Sequence, residues 1–208
     1  MPRISLPSLE TMTPEQRKVY DKIVTGKRGR IQGPLRAALH NPDLAERWSA
    51  LGELLRYGTT LTPRQSELAI LVTGRLCRSP FEWYAHRPEA EKAGLPTPLI
   101  DAILEGASPP AMTEEDDAIY QYAMELNRFK SVSAKTYQRS LDLFGERAVV
   151  ELTALVGYYT MVAMTLNAHE IRLPDNADAR ALPAAGTALT PLAPCLVRPD
   201  VSNGDGKA

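Results

Sequence analysis

The 208-residue chain has little of what fixes a fold by covalent or metal bonds. Its two cysteines, Cys77 and Cys195, stand far apart, which argues against a disulfide scaffold and makes a cytoplasmic location the default expectation. Its three histidines, His40, His86 and His169, are too scattered to suggest a metal site by spacing. An excess of one charge is also missing. The formal net charge of -1 gives no global attraction to nucleic acid or to an anionic membrane, so neither is expected as a partner. No run approaches the roughly 20 apolar residues of a membrane span. The opening Met1-Pro2-Arg3-Ile4-Ser5 lacks the basic-then-apolar pattern of a signal peptide. Strand patterns are nearly absent, whereas the 44% apolar content suffices for a core.

What is present is a succession of helix starts. Thr13-Pro14-Glu15-Gln16 reads as a cap with proline at the first helical position, opening a helix to about Val24. Gly26 to Pro34 reads as a loop. Asn41-Pro42 opens a helix that stops near Gly58, with Trp48, Leu51 and Leu55 at helical spacing. Thr62-Pro63 and Ser79-Pro80 open two more, and Pro96 to Glu105 is short. Thr113 followed by four acids is a strong helix N-terminus. Ser133 to Phe144 is closed by Gly145. Glu146 to Leu166 is mostly apolar and is expected to be central. The expected fold is all-α, a compact bundle of about eight helices over residues 1–175. Residues 176–208, rich in alanine and proline, read as a tail that is mobile or wraps a neighbouring subunit.

Two apolar segments are alike. Glu67-Leu68-Ala69-Ile70-Leu71-Val72 resembles Glu151-Leu152-Thr153-Ala154-Leu155-Val156, and each precedes an Ala-His pair, Ala85-His86 and Ala168-His169. A duplicated helical unit would explain this, as would chance likeness between two apolar helices.

The residues that could carry chemistry start from Glu82 and His86. Four residues apart on one helix, they share a face. A carboxylate beside an imidazole can orient it for acid/base work near neutral pH; the plain alternative is a surface ion pair. Glu67 lies in an otherwise apolar stretch and, if buried, requires a partner. Arg64 and Arg75 stand at helical distances and would make it a structural salt bridge. Arg75 could instead anchor a substrate carboxylate through its planar guanidinium.

The segment Leu61–Leu95, with Leu-Thr-Pro-Arg-Gln-Ser-Glu-Leu-Ala and Ser-Pro-Phe-Glu-Trp-Tyr-Ala-His, resembles the core motif of carboxymuconolactone decarboxylase-like proteins. Thr136-Tyr137, Phe144-Gly145, Gly157-Tyr158-Tyr159 and Leu166-Asn167-Ala168-His169 extend the likeness to longer members, over roughly residues 10–175. The resemblance implies an alkylhydroperoxidase D-like helical fold. It also implies a homo-oligomer, trimer or hexamer, and a chemistry that needs no metal or organic cofactor. The superfamily's peroxidases carry Cys-x-x-Cys, a glutamate on the preceding helix and a histidine four residues after the second cysteine. On this chain the glutamate falls on Glu67 and the histidine on His86, but the cysteine positions hold Ser79 and Glu82. A dithiol cycle requires two thiols, so the peroxidase reading fails on chemistry.

What survives is a proton-handling set of His86, Glu82 and Glu67. It suits a cofactor-independent lyase acting on a small, anionic, carboxylated or lactone-type compound, as in aromatic catabolism, or an isomerase or lactone hydrolase. Arg75, Ser79, Trp83, Tyr158, Asn167 and His169 are the expected substrate contacts, with Tyr159 beside them. Lys27, Arg28 and Arg30 could close over an anion from their loop. Two rival readings stand: a thiol-dependent antioxidant protein using Cys77 alone, and a non-catalytic helical binding or assembly protein.

Overall fold

The computed structural model describes residues 2–27, 29–110 and 112–173. The expected tail therefore lies outside the described residues, as do Arg28 and Cys195. Eight helices follow one another: α1 (Pro14–Thr25), α2 (Pro34–Ala38), α3 (Pro42–Tyr57), α4 (Pro63–Leu76), α5 (Pro80–Lys92), α6 (Thr97–Glu105), α7 (Glu114–Phe129) and α8 (Ala134–Ala168). Among the described residues there is no strand. The helix starts agree with the caps read from sequence. Thr13 and Thr62 each form a full capping box, Thr62 accepting from the Gln65 amide while Gln65 accepts from the Thr62 amide. Such caps contribute about 1 kcal/mol apiece. The one helix without a sequence signal is α2, whose five residues are too few for a period to emerge. Gly145, at φ 78°, breaks α8 where the sequence places a helix end.

The centre of the bundle is α4, not α8. From Gln65 to Arg75 every residue of α4 is buried. It packs against α5, α6, α7 and α8, so it is enclosed on all sides as a helix apolar all round must be. Burying Leu68, Ile70, Leu71 and Val72 stabilises the fold by roughly 1.5–3 kcal/mol each. The expectation of a central last helix is thus corrected. By length and composition α8 could cross a membrane, but half of that window is buried in the bundle. The outer side of α8 carries Val150, Met161 and Met164 in the open. At the N-terminal ends, Arg64 on α4 donates two hydrogen bonds to the buried Asp116 on α7, at 3.0 and 2.7 Å.

The turn from α4 to α5 decides where the candidate chemistry falls. Arg78 takes the left-handed conformation, φ 52°. The Ser79 amide bonds back to the Gly74 carbonyl at 2.9 Å, and the Arg78 amide to that of Arg75 at 3.2 Å. These are the two bonds of a Schellman motif, with arginine where glycine usually sits. The motif ends α4 and hands Ser79 directly to the start of α5, so the two helices turn back on each other. Arg78 costs about 1 kcal/mol or more there, since a Cβ crowds the backbone in this conformation. The variant Arg78→Gly should therefore be more stable, by about 0.5 kcal/mol once the extra chain entropy of glycine is offset. Urea unfolding at constant slope checks this; a loss of stability would mean that the arginine side chain matters more than its backbone.

Candidate active site

Glu67 stands in the middle of α4, and Glu82 and His86 stand one turn apart on α5. The structure brings all three together. His86 Nδ1 lies 2.7 Å from Glu67 Oε2, a buried hydrogen bond. His86 Nε2 lies 3.6 Å from Glu82 Oε2, in charge contact but beyond hydrogen-bond range. The three residues are 7%, 4% and 6% exposed, so none is a solvated surface group. An ionised Glu67 can only accept, so it selects the tautomer in which Nδ1 carries the proton. Nε2 is then the ring atom left to give or take one. Close helix packing makes this reach possible: a Cβ placed on Gly74 would stand 3.3 Å from the Glu82 Cβ. A side chain there would press α5 away from α4 and from Glu67.

His86 opens on a cavity of about 120 Å³. Glu82 and Phe81 from α5, Tyr158, Tyr159 and Val162 from α8, Arg56 from α3, and Arg30, Gln32 and Pro34 enclose it. The Tyr159 ring stands edge-on to the imidazole, 5.0 Å between centroids. Tyr158 packs edge-on against both Tyr159 and Trp48, which holds the aromatic wall in place. Burial raises the Tyr159 phenol well above the usual tyrosine range; Arg56 opposes this, and Glu82 and Glu67 add to it. Its hydroxyl is therefore a neutral donor at any physiological pH. The segment before α2 closes the cavity because Gly33, at φ 51°, can lie against Phe81. A Cβ at Gly33 would stand 2.9 Å from the Phe81 ring.

The other expected contacts divide. Tyr158 and Arg30 line this cavity. Arg75 does not: its Nε donates to the carbonyls of Ile103 and Leu104 at the end of α6, and burial pulls its pKa down. It is a helix-end cap, because its side chain leaves α4 on the side facing α6. Nor does Arg64 reach Glu67, being held by Asp116. Trp83 is 1% exposed in the core, so the expected substrate contact is a packing residue. Ser79 and Asn167 line a second, wider cavity beyond Phe81, of about 660 Å³. Asn167 Nδ2 donates to the Cys77 carbonyl at 2.8 Å. His169 caps the end of α8 and borders neither cavity. Lys27 borders neither as well. The second copy of the repeat does not rebuild the constellation. Glu151 accepts from Thr60 at 2.7 and 2.6 Å and pairs with Arg147, with no histidine. Among the described residues no group of His, Cys, Asp and Glu is arranged to hold a metal ion.

Sequence reasoning missed Arg56. The signal was there: Ala45, Trp48, Gly52 and Leu55 mark the inner face of α3, and Arg56 follows Gly52 by four. An arginine at the edge of an inward face is a candidate site cation.

Residues 42–125 match the model of the carboxymuconolactone decarboxylase family. No curated protein sequence matches the chain. Several solved structures share its fold. An uncharacterized peroxidase-related protein from Ralstonia eutropha JMP134, with an alkylhydroperoxidase AhpD core, is 13% identical; the alignment covers 84% of this chain and 93% of that one, with a TM-score of 0.67. A peroxidase-related protein from Silicibacter sp. TM1040 is 15% identical over 85% and 93%, TM-score 0.68. The debrominase Bmp8, solved as a cysteine-to-alanine variant with 2,3,4-tribromopyrrole, is 12% identical over 83% and 91%, TM-score 0.67. The segment 42–125 thus resembles the carboxymuconolactone decarboxylase family, and the chain as a whole has the AhpD-like helical fold. It lacks the Cys-x-x-Cys of the superfamily's peroxidases.

Cys77 borders neither cavity; its Sγ faces Asn127 at 3.7 Å and Thr160 at 4.0 Å. Burial pushes its thiol pKa up, a hydrogen bond to Thr160 only partly opposing. A raised pKa keeps the thiol neutral to higher pH, so less nucleophilic thiolate exists at pH 8 in the folded than in the unfolded protein. In a Cys195→Ser background, iodoacetamide at pH 8 should therefore alkylate native Cys77 at least tenfold more slowly than the urea-unfolded chain. Equal rates would restore the thiol reading.

Proposed function

We propose that the protein is a cofactor-independent enzyme acting on a small anionic compound, carboxylated or of lactone type, by a Glu67–His86–Glu82 proton relay. The observation that carries this reading is the buried 2.7 Å bond between Glu67 and His86, with the other ring nitrogen turned toward Glu82 at the cavity. A carboxylate kept this far from water carries a desolvation cost that packing alone would avoid with an apolar residue. In a decarboxylation the bond from carbon to carboxylate breaks, carbon dioxide leaves, and the electron pair moves into a conjugated carbonyl as an enolate. His86 as the imidazolium gives its Nε2 proton to the carbon and is left neutral, with its Nδ1 proton held by Glu67; a proton taken from solvent and passed through Glu82 to Nε2 resets the site. The same set serves isomerisation or lactone hydrolysis, since each passes a proton beside an enolate or an acyl oxygen. Such acid/base help contributes about 10²–10⁴-fold. We place the enzyme in the cytoplasm.

The test is carbon dioxide release or ring opening with a panel of carboxylated butenolides. His86→Ala should lower turnover by about 10²-fold or more; because it strips the buried Glu67 of its partner it should also lower the melting temperature, which adding Glu67→Gln should restore without restoring turnover. Glu67→Gln should lose turnover comparably and keep or gain stability, because it relieves a buried charge. Full turnover in His86→Ala would sink the relay. Tight binding of a butenolide by the wild type without turnover would favour the non-catalytic reading.

We also propose a homo-oligomer. Val150 and Met164 on α8 and Leu44, Leu51 and Leu54 on α3 are 44–68% exposed, more bulk apolar surface than a lone bundle usually leaves open. Light scattering at micromolar concentration should give a multiple of 22.9 kDa; a mass of one chain would contradict it.

A further inference from the structure

The guanidinium of Arg56 has an unusual position for so strong a donor. It lines the 120 Å³ cavity with His86, Glu82 and Tyr159, and it is only partly exposed. Among the described residues it makes no hydrogen bond and no ion pair; its one close companion is the Tyr57 ring, 5.1 Å from the guanidinium carbon. The other arginines set into the bundle are tied down: Arg64 by Asp116, Arg75 by the α6 carbonyls, Arg87 by Asp101 and Glu91. The Tyr159 hydroxyl, in the same cavity, likewise has no hydrogen-bond partner among the described residues. A guanidinium offers five donors, and this half-buried one turns donors that no protein acceptor takes toward the cavity. The arrangement makes sense once an anionic oxygen sits between them.

Resting on the proton-relay reading above, we infer that Arg56 and the Tyr159 hydroxyl form the oxyanion seat of this cavity. They hold the carbonyl oxygen of a conjugated substrate as it becomes an enolate oxygen. The direction of charge flow selects that oxygen. A cation placed on a departing carboxylate would lose its attraction as the charge leaves, holding carbon dioxide back. On the carbonyl oxygen it gains attraction as charge arrives, which is what lowers a barrier. The positive charge of Arg56 is secure: burial weakens it, but Tyr159, Tyr57, Glu67 and Glu89 more than compensate. The volume limits the ligand. A cavity of about 150 Å³ takes one benzene, so this site encloses a planar, conjugated fragment of about six non-hydrogen atoms, with any remainder at the mouth.

Crotonate is such a fragment, its carboxylate standing in for an enolate, and crotonamide is its neutral twin. Calorimetric titration of the full-length protein should show crotonate preferred over crotonamide by at least tenfold. Arg56→Gln should erase that preference without lowering the melting temperature, and Arg56→Lys should keep part of it. Tyr159→Phe should weaken crotonate severalfold. His86→Ala should leave the preference in place, which separates the seat from the relay: loss of turnover there with the preference intact supports both. A preference that survives Arg56→Gln, or none in the wild type, overturns the seat and leaves the relay standing. Full turnover in His86→Ala overturns the relay and, with it, the enolate role of the seat.

Discussion

A carboxylate in the middle of an apolar helix constrains everything around it. Glu67 is flanked on α4 by buried residues, and an unpartnered charge there would cost several kcal/mol. Its partner is neither of the arginines on its own helix but His86, delivered by the next helix at 2.7 Å. That pairing needs α5 to return along α4 at close range. The Schellman turn at Gly74–Ser79, the left-handed Arg78 and the missing side chain at Gly74 supply the return. The remaining parts of the site follow from the same approach: Glu82, one turn before His86, is carried to the other ring nitrogen, and Tyr159 of α8 closes on the imidazole edge.

Where the resemblance to the peroxidases implies two thiols, this chain has Ser79 and Glu82. The exchange changes what the scaffold can do without changing what holds it. Ser79 starts α5, is wholly buried, and its hydroxyl finds no partner among the described residues. Glu82 puts a second carboxylate 3.6 Å from the His86 ring. Glutamate and histidine stand 2.7 Å apart without a thiol beside them, the arrangement on which the proposed proton relay rests. Cys77, the one thiol among the described residues, lies outside both cavities with its pKa raised by burial.

Helices with a proline or threonine at their start were legible in the sequence to within a few residues, because a cap is a local event. The Glu67–Glu82–His86 grouping was legible too, partly from the four-residue spacing and partly from the resemblance. Contacts that depend on how helices face one another were not. Arg75 and Trp83 occupy plausible positions on the right helices, yet one points to the carbonyls of α6 and the other into the core. Ser79, Asn167 and Tyr158 are expected from sequence to touch one substrate, but Phe81 divides them between two cavities. Arg56 went unnoticed because α3 carries no motif, although its inward face can be read from Trp48, Gly52 and Leu55. The short α2, whose first residues help close the cavity, has no period to detect.

Glu67 bonds to Nδ1 of His86, and on the proposed relay this leaves Nε2 as the working atom. Nitrogen-15 NMR of the labelled imidazole tests it most directly. In the neutral form Nδ1 should carry the proton, bonded to Glu67, and Nε2 should be unprotonated, with Glu67→Gln loosening that selection. A proton resident on Nε2 in the wild type, or an imidazole spectrum indifferent to Glu67→Gln, would contradict it.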